Sequence, residues 1–274
     1  ESTWEAFSAQ IGAGFGLEFD IQPMLDGNFA ISHDTNLNRI SGGELNLSLS
    51  EIGQRELQSI KLPGGRLCDL DELLCLLVGH SSAVSALHLK WHCQNRKVLD
   101  LLVARLSPFL DKLSEQLIIF DAAPWAAQYL KTILPNIELA ASVAHSFDIQ
   151  RYGSVTGGTL LTVNELTKLR ELYSWAWLDE WDRVGPRGTQ KSIVNPAQIG
   201  CLRKYGFKIA AVSPELHATS PELIGGEIHE DGHSERLENL WQEWSGFGLD
   251  ALCTDHASFL RRSMVACSSD RVMN

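Results

Sequence analysis

Short β-type runs and helix-type runs alternate along almost the whole chain, and this constrains the fold more than any other feature. "GLEFDI" is followed by "LCDLDELLCLLVG", "SAVSALHLKW" by "KVLDLLVARLSPFLDKL", and "EQLIIFDAAP" by "WAAQYLKTILP". Further on, "IELAASVA" precedes "VNELTKLRELY", "SWAWLDEWD" precedes "NPAQIGCLRKYG", "FKIAAVSPELH" precedes "SERLENLWQEWSGFG", and "LDALCTD" precedes "HASFLRR". An antiparallel pair needs only a tight turn, whereas parallel neighbours need a crossover of helical length. The repetition therefore predicts βα units on a parallel sheet. We count seven main strands, with "FAISHD" as a short hairpin partner after an Asp-Gly turn, and an opening helix over residues 2–13. Ser2 is the expected N-cap of that helix, with Glu5 three residues on in the capping-box pattern. The 274 residues carry no internal repeat, low-complexity tract or linker, so one domain over 1–274 is expected. A single α/β barrel typically takes about 250 residues.

The chain is 44% hydrophobic, enough for a sizeable core, and its formal charge is -11. That charge argues against nucleic acid and anionic membrane surfaces as partners. A small anionic substrate stays possible if a metal or local cations reverse the field. No apolar run reaches the ~18 residues of a membrane span, and no signal peptide is recognisable. The six cysteines form no C-x-x-C pair, and several sit in apolar surroundings such as "LCDLDELLCLL". Reduced, buried thiols and a cytoplasmic location are therefore expected.

Polar residues inside these strands mark the candidate site. In "GLEFDI", Leu17, Phe19 and Ile21 share one face while Glu18, Asp20 and Gln22 share the other. A strand covered on both faces cannot turn two carboxylates to water, and adjacent buried carboxylates repel. A divalent cation relieves both problems, and oxygen ligands suit Mg²⁺ or Ca²⁺; a half-exposed strand with a solvated polar face is the alternative. His88 and Lys90 share a face of "ALHLKW", and Asp121, Asp179, Glu215 and Asp255 each close a strand. Strand C-termini are where barrel enzymes keep their chemistry. Asp34, beside His33, is placed to cap the following turn. "HEDGH" reads as a solvated polar loop, with zinc binding by His229 and His233 as the alternative.

"ESTWEAF", "GFGLEFDI" and "DGNFAISHD" resemble the glycerophosphodiester phosphodiesterase family, the phospholipase-C-like barrels. That family opens on H-R-G, then E-N-T-x-x-A-F, then G-x-x-x-(I/L)-E-x-D-V, then D-G-x-x-V-x-x-H-D. "LCDLDELLCLL" is similar to its segment before the third strand, and "LCTD" to its final strand, so the likeness runs the full length. "FAISHD", "WLDEWD" and "VSPELH" resemble a bacterial branch. The resemblance implies a (β/α)8 TIM barrel that hydrolyses phosphodiesters with one divalent cation and two histidines. Glu18 and Asp20 would be metal ligands, His33 an acid–base histidine protonating the leaving alkoxide, and Lys90 the holder of a phosphate oxygen. Residues 42–66 would be a small insertion covering the mouth. The family's H-R-G strand, which would precede "ESTWEAF", is not in this chain, which leaves the first barrel strand out of the count. The glutamate of the family's E-x-K motif is His88 here. An imidazole completing the Glu18/Asp20 site favours Mn²⁺, Fe²⁺ or Zn²⁺ over Ca²⁺; otherwise Asp121 or Glu215, candidate substrate-binding residues, would move in, or no metal binds. The implied activity is metal-dependent hydrolysis of a small glycerophosphodiester-like substrate by Mg²⁺, Ca²⁺ or Mn²⁺. Transesterification to a cyclic phosphate and an inactive barrel binding a phosphorylated ligand are the alternatives.

Overall fold

The computed structural model describes residues 2–62, 64–219, 229, 231–232 and 234–271. Its contacts divide the chain into two compact units, Glu1–Leu139 and Ala140–Asn274. In the first, helix α1 (Trp4–Gly12) is capped by Thr3, whose hydroxyl accepts from the Ala6 amide at 3.3 Å. The expected cap, Ser2, instead has a φ of 54°, outside the extended geometry an N-cap needs. Glu5 is likewise drawn away from the cap and accepts from the Arg66 amide at 3.0 Å.

Strand β1 (Glu18–Pro23) pairs antiparallel with β2 (Phe29–Ile31), and Ile21 lies opposite Ile31. Residues 37–67 add a short helix α2 (Gln54–Ser59) and a small hairpin of β3 (Lys61–Leu62) and β4 (Gly65–Arg66). Leu37, Leu49, Ile52, Leu57, Leu62 and Leu67 build an apolar cluster of their own on Met24 and Ala30, so the segment expected as an insertion has a core. Helix α3 (Leu70–Val78) starts on an Asp69/Glu72 capping box and buries Leu70, Leu73, Leu74 and Leu77. That i, i+3, i+4, i+7 spacing is one helical face. Strands β5 (Ser85–His88) and β6 (Leu117–Phe120) follow, separated by α4 (Arg96–Leu106) and α5 (Leu110–Leu113), and α6 (Pro124–Ile133) comes next. The unit's strand order is β2-β1-β5-β6, with β1, β5 and β6 parallel.

β1 and β5 approach so closely at their entry that a Cβ on Gly16 would lie 1.9 Å from the Val84 carbonyl oxygen. Gly16→Ala must therefore move backbone on one side. We expect it to lower stability by about 1–3 kcal/mol, the usual cost of overpacking, read from the denaturant midpoint.

The second unit begins within β7 (Glu138–Val143) and continues through α7 (Ser146–Tyr152), α8 (Val163–Lys168) and β8 (Trp175–Leu178). It goes on through α9 (Pro196–Lys204), β9 (Lys208–Val212), α10 (Glu215–Thr219), α11 (Ser234–Gly246), β10 (Ala251–Cys253) and α12 (Ala257–Arg271). Its strands lie parallel in the order β7-β8-β9-β10. The seven expected main strands are thus β1 and β5 to β10, parallel to one another where they pair within each unit. Trp177 and Trp181 are buried, whereas Trp125 is exposed.

One expectation is corrected here. "HEDGH" is not a solvated loop where it is described, because His229 and Asp231 are both buried. The His229 Nδ1 accepts from the Asp231 amide at 3.0 Å, and its Nε2 lies 3.5 Å from Glu180; His233 lies outside the described residues. The loop after β8 also carries a buried charge cluster that sequence spacing does not announce. Lys191 Nζ lies 2.8 Å from Asp148 and 3.1 Å from Asp182, and Arg151 lies 2.6 Å from Asp182. Five cysteines, Cys68, Cys75, Cys93, Cys201 and Cys253, are unbridged. Burial pushes the Cys68 and Cys93 thiols up to about 12, which keeps them protonated. Among the described residues no helix is long and apolar enough to cross a membrane.

Candidate active site

The register of β1 on β5 sets Asp20 beside His88. His88 Nδ1 lies 2.8 Å from Asp20 Oδ1, and its Nε2 lies 3.3 Å from Asp121 Oδ2. The ring stacks on Phe120 at 4.5 Å between centroids, which leaves it little freedom to turn. Burial opposes charging this imidazole, but the hydrogen bonds to Asp121 and Asp20 and their negative charges overcome it, pushing its pKa up to about 10. Burial likewise opposes the Asp20 carboxylate. The His88 hydrogen bond and the charges of His88, Lys90 and His33 outweigh it and bring Asp20 down to about 2. Without a cation, a His88 proton thus holds the two carboxylates.

Ligand atoms of Glu18, Asp20 and His88 all lie within 4.8 Å of one another, so the three side chains can close on one ion. Asp121 stands where an outer carboxylate usually orients a metal-ligating histidine: with Nε2–H turned to Asp121, Nδ1 is the nitrogen left for an ion beside Asp20. Two carboxylates and an imidazole suit a divalent cation, so the residues present fit the group that the resemblance implies. Asp121 itself has φ 65°, a left-handed conformation uncommon outside glycine, and its carbonyl is held by Gln94 at 2.7 Å.

His33 follows β2. Its Nδ1 lies 2.7 Å from Asp34, whose other oxygen takes a 2.6 Å bond from Arg39. Burial raises the Asp34 carboxyl, but the hydrogen bonds from His33 and Arg39 and their charges leave it below its ordinary value. Asp34 therefore orients the His33 ring through Nδ1 rather than capping a turn. Lys90 reaches across from the end of β5, donating to the His33 carbonyl at 2.6 Å and lying 3.3 Å from Asp20 Oδ1.

The structure thus gathers Glu18, Asp20, His33, His88, Lys90 and Asp121 in the first unit. Glu215 belongs to the second unit, where its carboxylate accepts from the Ser213 and Thr254 hydroxyls. In that unit Asp179 also accepts from His217 Nε2 at 2.8 Å, beside Trp181. Sequence reasoning assigned no role to Gln22 and His92. Gln22 is 1% exposed; its amide donates to the His33 carbonyl at 2.9 Å, and its oxygen faces His92 Nε2 at 3.0 Å. Its place on the Glu18/Asp20 face was the available signal for it. His88, Lys90 and His92, each two residues apart, were the signal for the histidine.

No family model matches the chain, and no curated protein does at the sequence level. Solved structures do. A protein of Agrobacterium tumefaciens assigned as a glycerophosphoryl diester phosphodiesterase is 13% identical, with a TM-score of 0.65 over 100% of this chain and 94% of that one. A glycerophosphoryl diester phosphodiesterase of Parabacteroides distasonis is 17% identical, with a TM-score of 0.62 over 97% of this chain and 81% of that one. A phosphodiesterase of Oleispira antarctica, solved with its product sn-glycerol-3-phosphate, is 15% identical, with a TM-score of 0.62 over 94% and 90% of the two chains. The chain has the α/β TIM-barrel fold of the glycerophosphodiester phosphodiesterases.

Proposed function

We propose that this protein hydrolyses a small glycerophosphodiester-like phosphodiester to an alcohol and a phosphomonoester, with one divalent cation held by Glu18, Asp20 and His88. The observation that carries the reading is the convergence of those three ligand atoms within 4.8 Å. Lys90 links the same cluster to His33, which has a carboxylate-oriented ring. The product bound by the Oleispira antarctica relative supports a glycerol phosphate end to the substrate.

A divalent cation supplies Lewis-acid stabilisation of charge on a phosphoryl oxygen. Lys90 adds a fixed positive charge for a second oxygen, by exchanging its hold on the His33 carbonyl for the substrate. His33 gives its Nε2 proton to the departing alkoxide. Asp34 keeps the ring aligned and stabilises the charge it carries before that transfer. The test is product analysis with Mg²⁺, Mn²⁺ or Ca²⁺ added to the full chain.

Cation binding is coupled to the His88 proton, because an imidazole must be neutral to ligate. The His88 pKa of about 10 means that the ring starts charged throughout the neutral range, and Asp20, at about 2, contributes no proton there. Each ion bound should therefore release about one proton, and affinity should rise about tenfold per pH unit. Calorimetry of Mn²⁺ binding in buffers of different ionisation enthalpy reads that proton count. A count near zero would mean that His88 is not a ligand.

A further inference from the structure

We propose that His92 is a second acid–base residue of this site, held by Gln22 as the general base for the attacking water. The inference rests on the hydrolytic reading above and extends it to a residue that neither the fold nor the family pattern singles out.

The geometry fixes which nitrogen of His92 carries the proton. The Gln22 amide nitrogen donates to the Ser32 carbonyl at 3.3 Å and to the His33 carbonyl at 2.9 Å. Two carbonyls on the NH₂ end leave no ambiguity about the amide's orientation, so the Gln22 oxygen faces His92 Nε2 at 3.0 Å. A side-chain amide oxygen only accepts, so Nε2 bears the hydrogen, and the neutral ring keeps its lone pair on Nδ1. Gln22 is buried, while His92 is exposed, with Trp91 packed edge-on against it at 6.0 Å between centroids. The anchored nitrogen is thus held by a buried partner, which leaves Nδ1 as the basic one.

The surroundings keep that ring unprotonated. Partial burial comes first, and the positive charges of Lys90 and His88 add to it; Asp20 is the opposing charge. The net effect holds His92 below its ordinary value. β1 contributes Asp20 and the neutral Gln22, and β5 with the turn after it contributes His88, Lys90 and the protonated Cys93 thiol. A histidine that is neutral at pH 7 is a base, whereas one that gives a proton to the leaving group starts charged. His33 and His92 hang from the same amide of Gln22, one through its backbone and the other through its ring.

The step balances. Water oxygen bonds to phosphorus as its proton passes to His92 Nδ1, and the phosphorus–oxygen bond to the leaving alcohol breaks with its electron pair on that oxygen. The alkoxide takes the His33 proton, and the two rings exchange roles until solvent resets them.

The experiment combines kinetics and ring spectroscopy on the full chain with Mn²⁺ and a glycerophosphodiester. His92→Gln, which keeps a donor for Gln22 without titrating, should lower kcat by about a hundredfold or more. It should also abolish the rise of kcat/KM with pH, whose midpoint in the wild type lies below the ordinary histidine value of about 6.5. Imidazole in solution should restore part of the activity of His92→Ala, which loss of a merely structural contact would not allow. Nitrogen-15 NMR of the wild type at pH 7 should give a neutral His92 ring protonated on Nε2. An active wild type whose His92→Gln variant keeps kcat within twofold, or a ring protonated on Nδ1, overturns this inference and leaves hydrolysis standing. A wild type inert on diesters with a correctly held His92 ring overturns hydrolysis, and the role of His92 with it.

Discussion

Asp20→Asn should lower kcat/KM for phosphodiester hydrolysis by about a thousandfold, the scale of removing a well-placed charge-stabilising group. Asp20 joins three groups of the site: His88 at 2.8 Å, Lys90 at 3.3 Å, and Glu18 in the ligand cluster. An amide keeps the shape but removes the charge that binds a cation and holds Lys90 in place. The same substitution should cost stability. A carboxyl at about 2 in the folded chain, against an ordinary 3.8, contributes fully above pH 3.8 and loses its contribution as pH falls through about 2. That difference corresponds to about 2–3 kcal/mol at neutral pH, so the variant's melting should be compared at pH 7, where the loss is complete. A variant that keeps activity within tenfold of wild type would remove Asp20 from the mechanism.

Lys191→Met should destabilise the fold by about 3–5 kcal/mol, the cost of leaving buried charge without its partner. The Lys191 side chain is 3% exposed and sits between Asp148 and Asp182, at 2.8 and 3.1 Å, while also donating to the Asp182 carbonyl. Burial pushes Asp148 up to about 6 even with Lys191 beside it. Between about pH 4 and 6 the folded chain therefore binds more protons at Asp148 than the unfolded chain, and this group's contribution worsens as pH rises through that window. Asp182 runs the other way. Burial raises it, but its bonds to Lys191 and Arg151 bring it below its ordinary value, so its contribution is lost on acidification. Removing Lys191 enlarges the Asp148 penalty, and adding Asp148→Asn should recover much of the loss. Urea unfolding of the two variants at pH 7 measures both. A Lys191→Met midpoint within experimental error of wild type would mean that the cluster carries no net stabilisation.

The part of the site legible in the sequence was the part written in charge and period. Glu18 and Asp20 stand two apart on one strand, and His88 and Lys90 repeat the pattern, so strand period alone put each pair on one face; the expected burial of both carboxylates holds for Asp20, whereas Glu18, at the start of β1, is exposed. The parallel order of the strands followed from the helices between them. Gln22 escaped because an amide has no charge to flag it; only its burial and three partners reveal a hub. The His92 tautomer depends on a residue on another strand. The Lys191 cluster joins α7 to a loop beyond β8, and no spacing rule connects such positions. The first helix shows a smaller limit: Ser2 and Thr3 are chemically equal caps, and backbone geometry, not composition, chose Thr3.

The central claim is tested most directly by phosphorus NMR of a glycerophosphodiester incubated with the full chain and Mn²⁺, Mg²⁺ or Ca²⁺. The account predicts that the diester signal gives way to a phosphomonoester, and that His33→Ala slows this by about 10²–10⁴-fold. A diester left unchanged with all three cations, or one converted to a persistent cyclic phosphate, would contradict it.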